Sequence, residues 1–267
     1  MGLVNAWKGF FTSNQEVFEQ KETKTRRRAY SGARVDRNTA SWVTNQTSAD
    51  QEWKQGITRL RSRVHDLVRN NNYAAQAIRY STNQIVGTGV RLQVQTRKRR
   101  TNDLYTQINE QIETQWSMWG RKDSCDVRGV LCFSELERLV VRSMIESGES
   151  FVIMHRKQFG RSKVPIALEV IEADQLDEDY KGKLTEPTNT WRLGIEMDQY
   201  QRAVNYAFLT KHPGDSNFTA PLGMKKHIIV AARDVIHLFM PQRPGQHRGV
   251  PFLASAISHL HQLDGYI

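Results

Sequence analysis

Cysteine is nearly absent from this 267-residue sequence, with Cys125 and Cys132 the only two. Two cysteines exclude a disulfide framework and a zinc site built from four thiolates, and they fit a reducing compartment. No run of 18 apolar residues occurs, which excludes a membrane-crossing helix of ordinary length. The opening stretch, residues 1–11, lacks the apolar core and small-residue cleavage site of a signal peptide. Phosphate-cradling motifs are missing as well. There is no glycine-rich loop followed by Lys-Ser or Lys-Thr, no G-x-G-x-x-G after a strand and no G-x-S-x-G elbow. Gly87-Thr88-Gly89 is a lone G-x-G and reads as a turn.

Hydrophobic residues make up 39% and aromatic residues 9%, enough for a sizeable core in one large domain or two modest ones. The charge is uneven. Residues 1–100 carry 19 Lys and Arg against 7 Asp and Glu, whereas residues 101–267 carry 19 against 21. The net charge of +10 therefore belongs to the first third, and it points to a polyanion or a partner with an acidic face. Arg26, Arg27 and Arg28 follow Lys24, and Arg97, Lys98, Arg99 and Arg100 form a second cluster. Arg59, Arg61, Arg63 and Arg69 are spread through a predicted helix. Each group is a candidate for phosphate or acidic-partner contacts, with a solvated surface as the alternative. No zinc-finger spacing, single-strand RNA motif or helix-turn-helix accompanies them, so sequence-specific reading is disfavoured.

Residues 1–51 read as a basic, polar arm anchored at a few points such as Tyr30 and Trp42. From Trp53 onward the spacing of Leu60, Val64, Leu67 and Val68 predicts a helix, with Arg61, Arg63 and Arg69 largely on its other faces. The Asn70–Asn72 run interrupts it, and a second helix is predicted over 73–84. Val90 to Val94 alternates as a half-buried strand. Leu104, Ile108, Ile112 and Trp116 predict a helix over 103–119 whose stripe is core. Ser134 and Glu137 form a predicted capping box, and Gly148 closes the helix that follows. The period then switches to strands: 149–155, 164–171, 194–196, 202–209, 228–230 and 235–239. Residues 198–201 suit an antiparallel hairpin. The expected fold is α+β: N-terminal helices plus a mixed or antiparallel sheet. A final helix begins after Pro251 and reads as poised to continue past Ile267.

Catalytic chemistry is sparse. The carboxylates Glu169, Glu172, Asp174, Asp177, Glu178 and Asp179 are the one group that could converge on divalent cations, as a phosphodiester-processing nuclease requires. A strand-end loop in solvent is the alternative. His237, among Ile236, Leu238 and Phe239, reads as a buried, hydrogen-bonded imidazole. The segment 241–251 packs three prolines, two glycines and two arginines between a strand and a helix. Such a loop has a restricted shape, and its arginines offer rigid forks to carboxylates or carbonyls.

At this loop the sequence resembles the portal proteins of lambda-like tailed bacteriophages. Val235–Phe239, Arg243-Pro244-Gly245-Gln246 and Arg248-Gly249-Val250-Pro251 carry the likeness. Arg69–Asn71, Tyr73–Ala75, Asn83–Gly89, Trp116, Trp119, Glu135–Arg142, Gly148–Val152, Gly194–Glu196 and Ala203–Tyr206 follow in the same order. The resemblance spans about residues 55–267. It implies a wing-like region over 52–267 of a ring subunit, ending at the start of a further long helix, with stem, clip and crown mostly absent. It implies a ring of about twelve copies at the capsid vertex, a channel for packaging and ejecting double-stranded DNA without sequence specificity, and no catalytic residue, metal or cofactor. The partners it implies are other copies of the chain, the terminase large subunit, neck or head-completion proteins and the major capsid or scaffold protein, with no membrane. Location in the virion, and in host cytoplasm during assembly, goes with it. The loop residues Arg243, Pro244, Gly245, Gln246, Arg248 and Gly249 would then serve structure or subunit contact. The competing readings are the nuclease above and a standalone nucleic-acid-binding module using residues 1–100.

Overall fold

Ser48 opens the first helix, its hydroxyl accepting from the Gln51 amide, and Asp50 and Glu52 in the first turn favour the positive end of the helix dipole. In this computed structural model, which describes residues 37, 40–42, 44, 46–99, 102–215 and 226–264, that helix is α1 (Ala49–Asn70). It starts one turn ahead of Trp53. Asn71 then serves two helices. Its amide closes α1 on the Leu67 carbonyl at 2.7 Å, and its side chain accepts from the Ala74 amide at 3.0 Å to open α2 (Asn72–Val86). Gly87, at φ 55°, ends α2.

The predicted strand over 90–94 does not form. It joins no ladder: the Val90 amide donates to the Glu137 carboxylate and the Val94 amide to Glu113. Alternation alone makes no strand where no neighbouring edge is available. Next come α3 (Thr106–Trp119), the single turn α4 (Lys122–Cys125) and α5 (Phe133–Ser147). α5 starts earlier than the Ser134–Glu137 box predicts. Cys132 is its cap and Glu135 accepts from the Cys132 amide, which leaves Glu137 free to hold Val90. Gly148 closes α5 in the left-handed region, φ 89°.

The strands are β1 (Glu149–His155), β2 (Ala167–Ile171), β3 (Thr190–Arg192), β4 (Ile195–Met197), β5 (Ala203–Leu209), β6 (His227–Ala231) and β7 (Val235–Phe239). They build two antiparallel sheets where the sequence suggested one, a three-stranded sheet ordered β2-β1-β7 and a four-stranded sheet ordered β3-β4-β5-β6. The β4–β5 hairpin turns where predicted, while β3 is too short and polar to show a pattern. A 3-10 turn over Phe252–Ser255 leads to the last helix, α6 (Ile257–Asp264).

Contacts gather Thr47–Ile267 into one unit. Its core has two main parts. Phe151, Ile153 and Ile171 from the first sheet meet Ile195, Met197, Tyr206 and Phe208 from the second. Val64, Leu67 and Val68 of α1 meet Ala74 and Ile78 of α2, Ile145 of α5 and Leu253 and Ile257 near the end. The other face of the three-stranded sheet turns Leu168 and Val170 toward Trp119 and Leu136. That sheet is therefore packed on both faces, and its first residue, Glu149, lies where α1, α5, β7 and the 241–251 loop converge.

Candidate functional site

Glu149 has no solvent exposure, and a bare carboxylate there would cost several kcal/mol. Two arginines resolve this. Arg248, also without exposure, donates from Nε to both Glu149 oxygens at 2.8 and 3.0 Å, and from Nη1 to the Leu193 carbonyl at 2.8 Å. Arg61 donates from Nη2 to Glu149, from Nε to the Ser147 carbonyl at 2.9 Å and from Nη1 to Asp174 at 3.1 Å. The Gly249 amide and His237 Nε2 complete the set around Glu149 at 3.0 and 2.9 Å.

Aromatic rings frame the charges. The Arg248 guanidinium lies 4.4 Å from the Trp53 ring centre, and the Trp53 indole N–H donates to the Gly249 carbonyl at 2.7 Å. His237 stacks between Phe151 and Phe239 at 4.3 and 4.5 Å. Burial alone would raise the Glu149 carboxyl, but Arg248, His237 and Arg61 together hold it well below the usual carboxylate range. Burial lowers His237 in spite of Glu149 beside it, so the imidazole stays neutral.

The 241–251 loop is shaped to deliver Arg248. Arg243 to Gln246 form a turn closed by the Gln246 amide on the Arg243 carbonyl, with Pro244 presetting its φ and Gly245 at φ 74°. The Gln246 side chain staples the loop, accepting from the Gln242 amide at 2.8 Å and donating to the Arg248 carbonyl at 2.7 Å. Gly249 is needed for another reason: a Cβ there would fall 1.9 Å from the Gly148 carbonyl oxygen. Arg243 points elsewhere, half exposed, to Glu52 at 2.7 Å and the Thr47 carbonyl at 3.0 Å. His247 meets Asp50 at 2.7 Å, so the loop grips the start of α1 at two further points.

Other candidate residues fall into separate places. Arg97, Lys98 and Arg99 are exposed on a tight turn closed by the Lys98 amide on the Asp103 carbonyl at 2.7 Å. Arg100 and the Arg26–Arg28 cluster lie outside the described residues. Arg61 is corrected outright. It does not lie with Arg63 and Arg69 on the other faces of the helix: it is 3% exposed because it shares the inward stripe with Ile57, Val64 and Val68. The carboxylates of 169–179 do not converge. Glu169 pairs with His155, Asp174 with Arg61, Asp177 with His227 and Asp179 with Lys54. Glu178 is half-buried, its carboxyl pushed up by burial. Among the described residues no three His, Cys, Asp or Glu side chains group to hold a metal. Cys125 is buried and its thiol is pushed up to about 11 by burial, while Cys132 is part-exposed; both are free.

The α3 stripe is corrected too. Trp116 and Trp119 pack with Phe133, but Leu104, Ile108 and Ile112 remain 47%, 46% and 40% exposed. Sequence reasoning also missed Glu149 and Trp53 as members of the buried network. An arginine on an apolar helical stripe, at position 61, was the available signal.

The arrangement closes Glu149 on Arg61, Arg248, His237 and the Gly249 amide. It holds α1, β1, β7 and the 241–251 loop in one register. A probable portal protein of Halomonas phage phiHAP-1 is 29% identical over the whole chain, which covers 52% of that protein. Portal protein B of Escherichia phage lambda is 23% identical and the portal protein of Escherichia phage N15 is 25% identical, each over 84% of this chain and 42% of the relative. The chain thus spans about half the length of the curated relatives it matches. The family described as phage portal protein, lambda family, matches residues 35–267, and the chain belongs to that family.

Proposed function

We propose that this chain is part of a structural subunit of the portal ring at one vertex of a phage capsid, the channel through which DNA is packaged and ejected. The family match across residues 35–267 carries this reading. The buried Glu149 network supports it, because its bonds fix elements of the chain relative to one another. The wing-like region 52–267 would assemble in a ring of about twelve copies once the remainder of a full-length subunit is present. The basic arm of residues 1–51 and the Arg97–Arg100 turn would contact DNA phosphates or acidic partners. Terminase, neck proteins and the capsid or scaffold protein are the proposed partners, and no cofactor is involved. The loop from Arg243 to Gly249 would set the sheet against the final helix and the start of α1.

Two measurements test this. Native mass spectrometry of the subunit at the length of its relatives should give one ring species, and a monomer at all concentrations would refute the reading. Duplex and single-stranded DNA incubated with the protein and magnesium or manganese should stay intact. Cleavage lost in Asp174→Ala would instead establish the nuclease. Any DNA binding should be indifferent to sequence and weaken steeply with salt as phosphate counterions return.

A further inference from the structure

One face of the three-stranded sheet is covered over its middle and part of β2, while an apolar groove remains beside β2 and the β7 side stays exposed. Val152 of β1, on this face, is buried, and α5 packs on the strand there. By cross-strand register Met154, Leu168 and Ile236 lie on the same face, toward opposite margins of the sheet. At the β2 margin an apolar groove of about 340 Å³ opens between α3 and the sheet, with Ile112, Trp116, Met154 and Leu168 in its walls. At the other margin β7 is an edge strand, and Ile236, Leu238 and Met240 form an alternating outward row, 41%, 37% and 69% exposed. No lysine, glutamate or proline within β7 guards that edge, although exposed sheet edges in soluble proteins usually carry such residues.

We propose that these two margins are the two halves of one contact between copies of this chain, the β7 row of one copy seating in the α3–β2 groove of the next. The inference rests on the ring reading above and adds which surfaces meet. Three observations select a second copy as the occupant. The margins lie at opposite edges of one sheet ordered β2-β1-β7, so a contact joining them is heterologous and propagates from copy to copy, as a ring demands. The chemistry matches, because Gln115 is the one polar residue in the groove wall and the row has none. The size matches as well. Leu92 and Ile112 in the groove wall, with Leu104, Tyr105 and Ile108 outside it, are each more than a third exposed, and together they offer roughly half of the ~800 Å² that a partner gives to a standard interface. That is the apolar centre of such an interface, with the polar rim to come from around it.

Site-directed cross-linking reads the contact directly. Chains carrying Ile112→Cys and Leu238→Cys, both in a Cys132→Ser background, are mixed and oxidised at high protein concentration. The mixture should give a disulfide-linked dimer, the two single variants alone should give none, and a chain with both substitutions should give a ladder. Covalent dimers in either single-variant preparation would mean a symmetric contact and overturn the proposal. Oligomers seen by light scattering without a 112–238 cross-link would also overturn it while leaving the ring reading intact. Monomers throughout, even at the full length of the relatives, would remove both.

Discussion

The two faces of the three-stranded sheet invert the usual placement of charge and apolar surface. On one face Glu149 and His237 are buried with Arg248 and Arg61, every charge closed on a partner. On the other, Ile112 of the helix layer and Ile236 and Leu238 of β7 stand partly in water. β7 shows the inversion within five residues, His237 and Phe239 stacked inward and Ile236 and Leu238 turned out. Buried charges that are fully paired specify one arrangement of the elements that carry them, at little net gain over an apolar core. Exposed apolar rows contribute nothing until something covers them. One face is thus closed within the chain, and the other keeps part of its apolar surface exposed.

The comparison breaks most visibly at Glu149. Glu149→Ala would leave two buried guanidinium groups without their shared carboxylate, and should cost on the order of 3–5 kcal/mol in guanidinium unfolding. A loss under about 1 kcal/mol would mean that the network does not hold the fold. Next in size is the contrast between the loop arginines. Arg248→Ala should destabilise by a similar few kcal/mol, whereas Arg243→Ala should move the unfolding midpoint only slightly, since its ion pair is half exposed and screened. Equal shifts would show that the loop acts as one clamp.

Acid should erode the buried face selectively. The Glu149 carboxyl is lower in the folded chain than its ordinary value of 4.5, so its stabilisation is present above that value and is lost as pH falls toward the folded value. His237 acts in the same direction. Its folded value is also lowered, so on acidification below the ordinary 6.5 the unfolded chain takes the proton first. Urea unfolding should therefore show stability falling gently from about pH 7 and more steeply below about pH 4.5, and His237→Gln should flatten the upper part. The smallest effect belongs to the other face. Ile108→Ser should leave monomer stability within about 0.5 kcal/mol, because the side chain is half in water already. A larger loss would place Ile108 in the core after all.

Much of the architecture was legible because it is local. Asn71 between two apolar stripes, Gly148 after an amphipathic run and the 198–201 turn are signals read within a few residues, and each marks a real boundary. The 90–94 segment and the α3 stripe misled for a common reason. Periodicity reports which side of an element is apolar, but not whether a partner element arrives to cover or pair it. The site was half legible. The density of proline, glycine and arginine picked out the 241–251 loop, and neighbouring apolar residues picked out His237. Arg61 was misplaced because a cation on the inward stripe is sensible only when its counter-charge is known, and Glu149 is 88 residues away.

What the sequence determined by itself is the α+β class, the order of most elements, the concentration of positive charge in the first 100 residues and the likeness to portal proteins. Caps, turns, alternation and composition are short-range properties, and order along the chain preserves them. The tertiary structure decided that the strands divide into two sheets, that Arg61 and Arg248 converge on one carboxylate, that Glu169, Asp174, Asp177 and Asp179 each take a separate cation or histidine, and that an apolar stripe stays open. All four depend on which distant segments meet. The physical reason is that a buried charge or an apolar face has no fixed value of its own: its free energy is set by the groups brought against it.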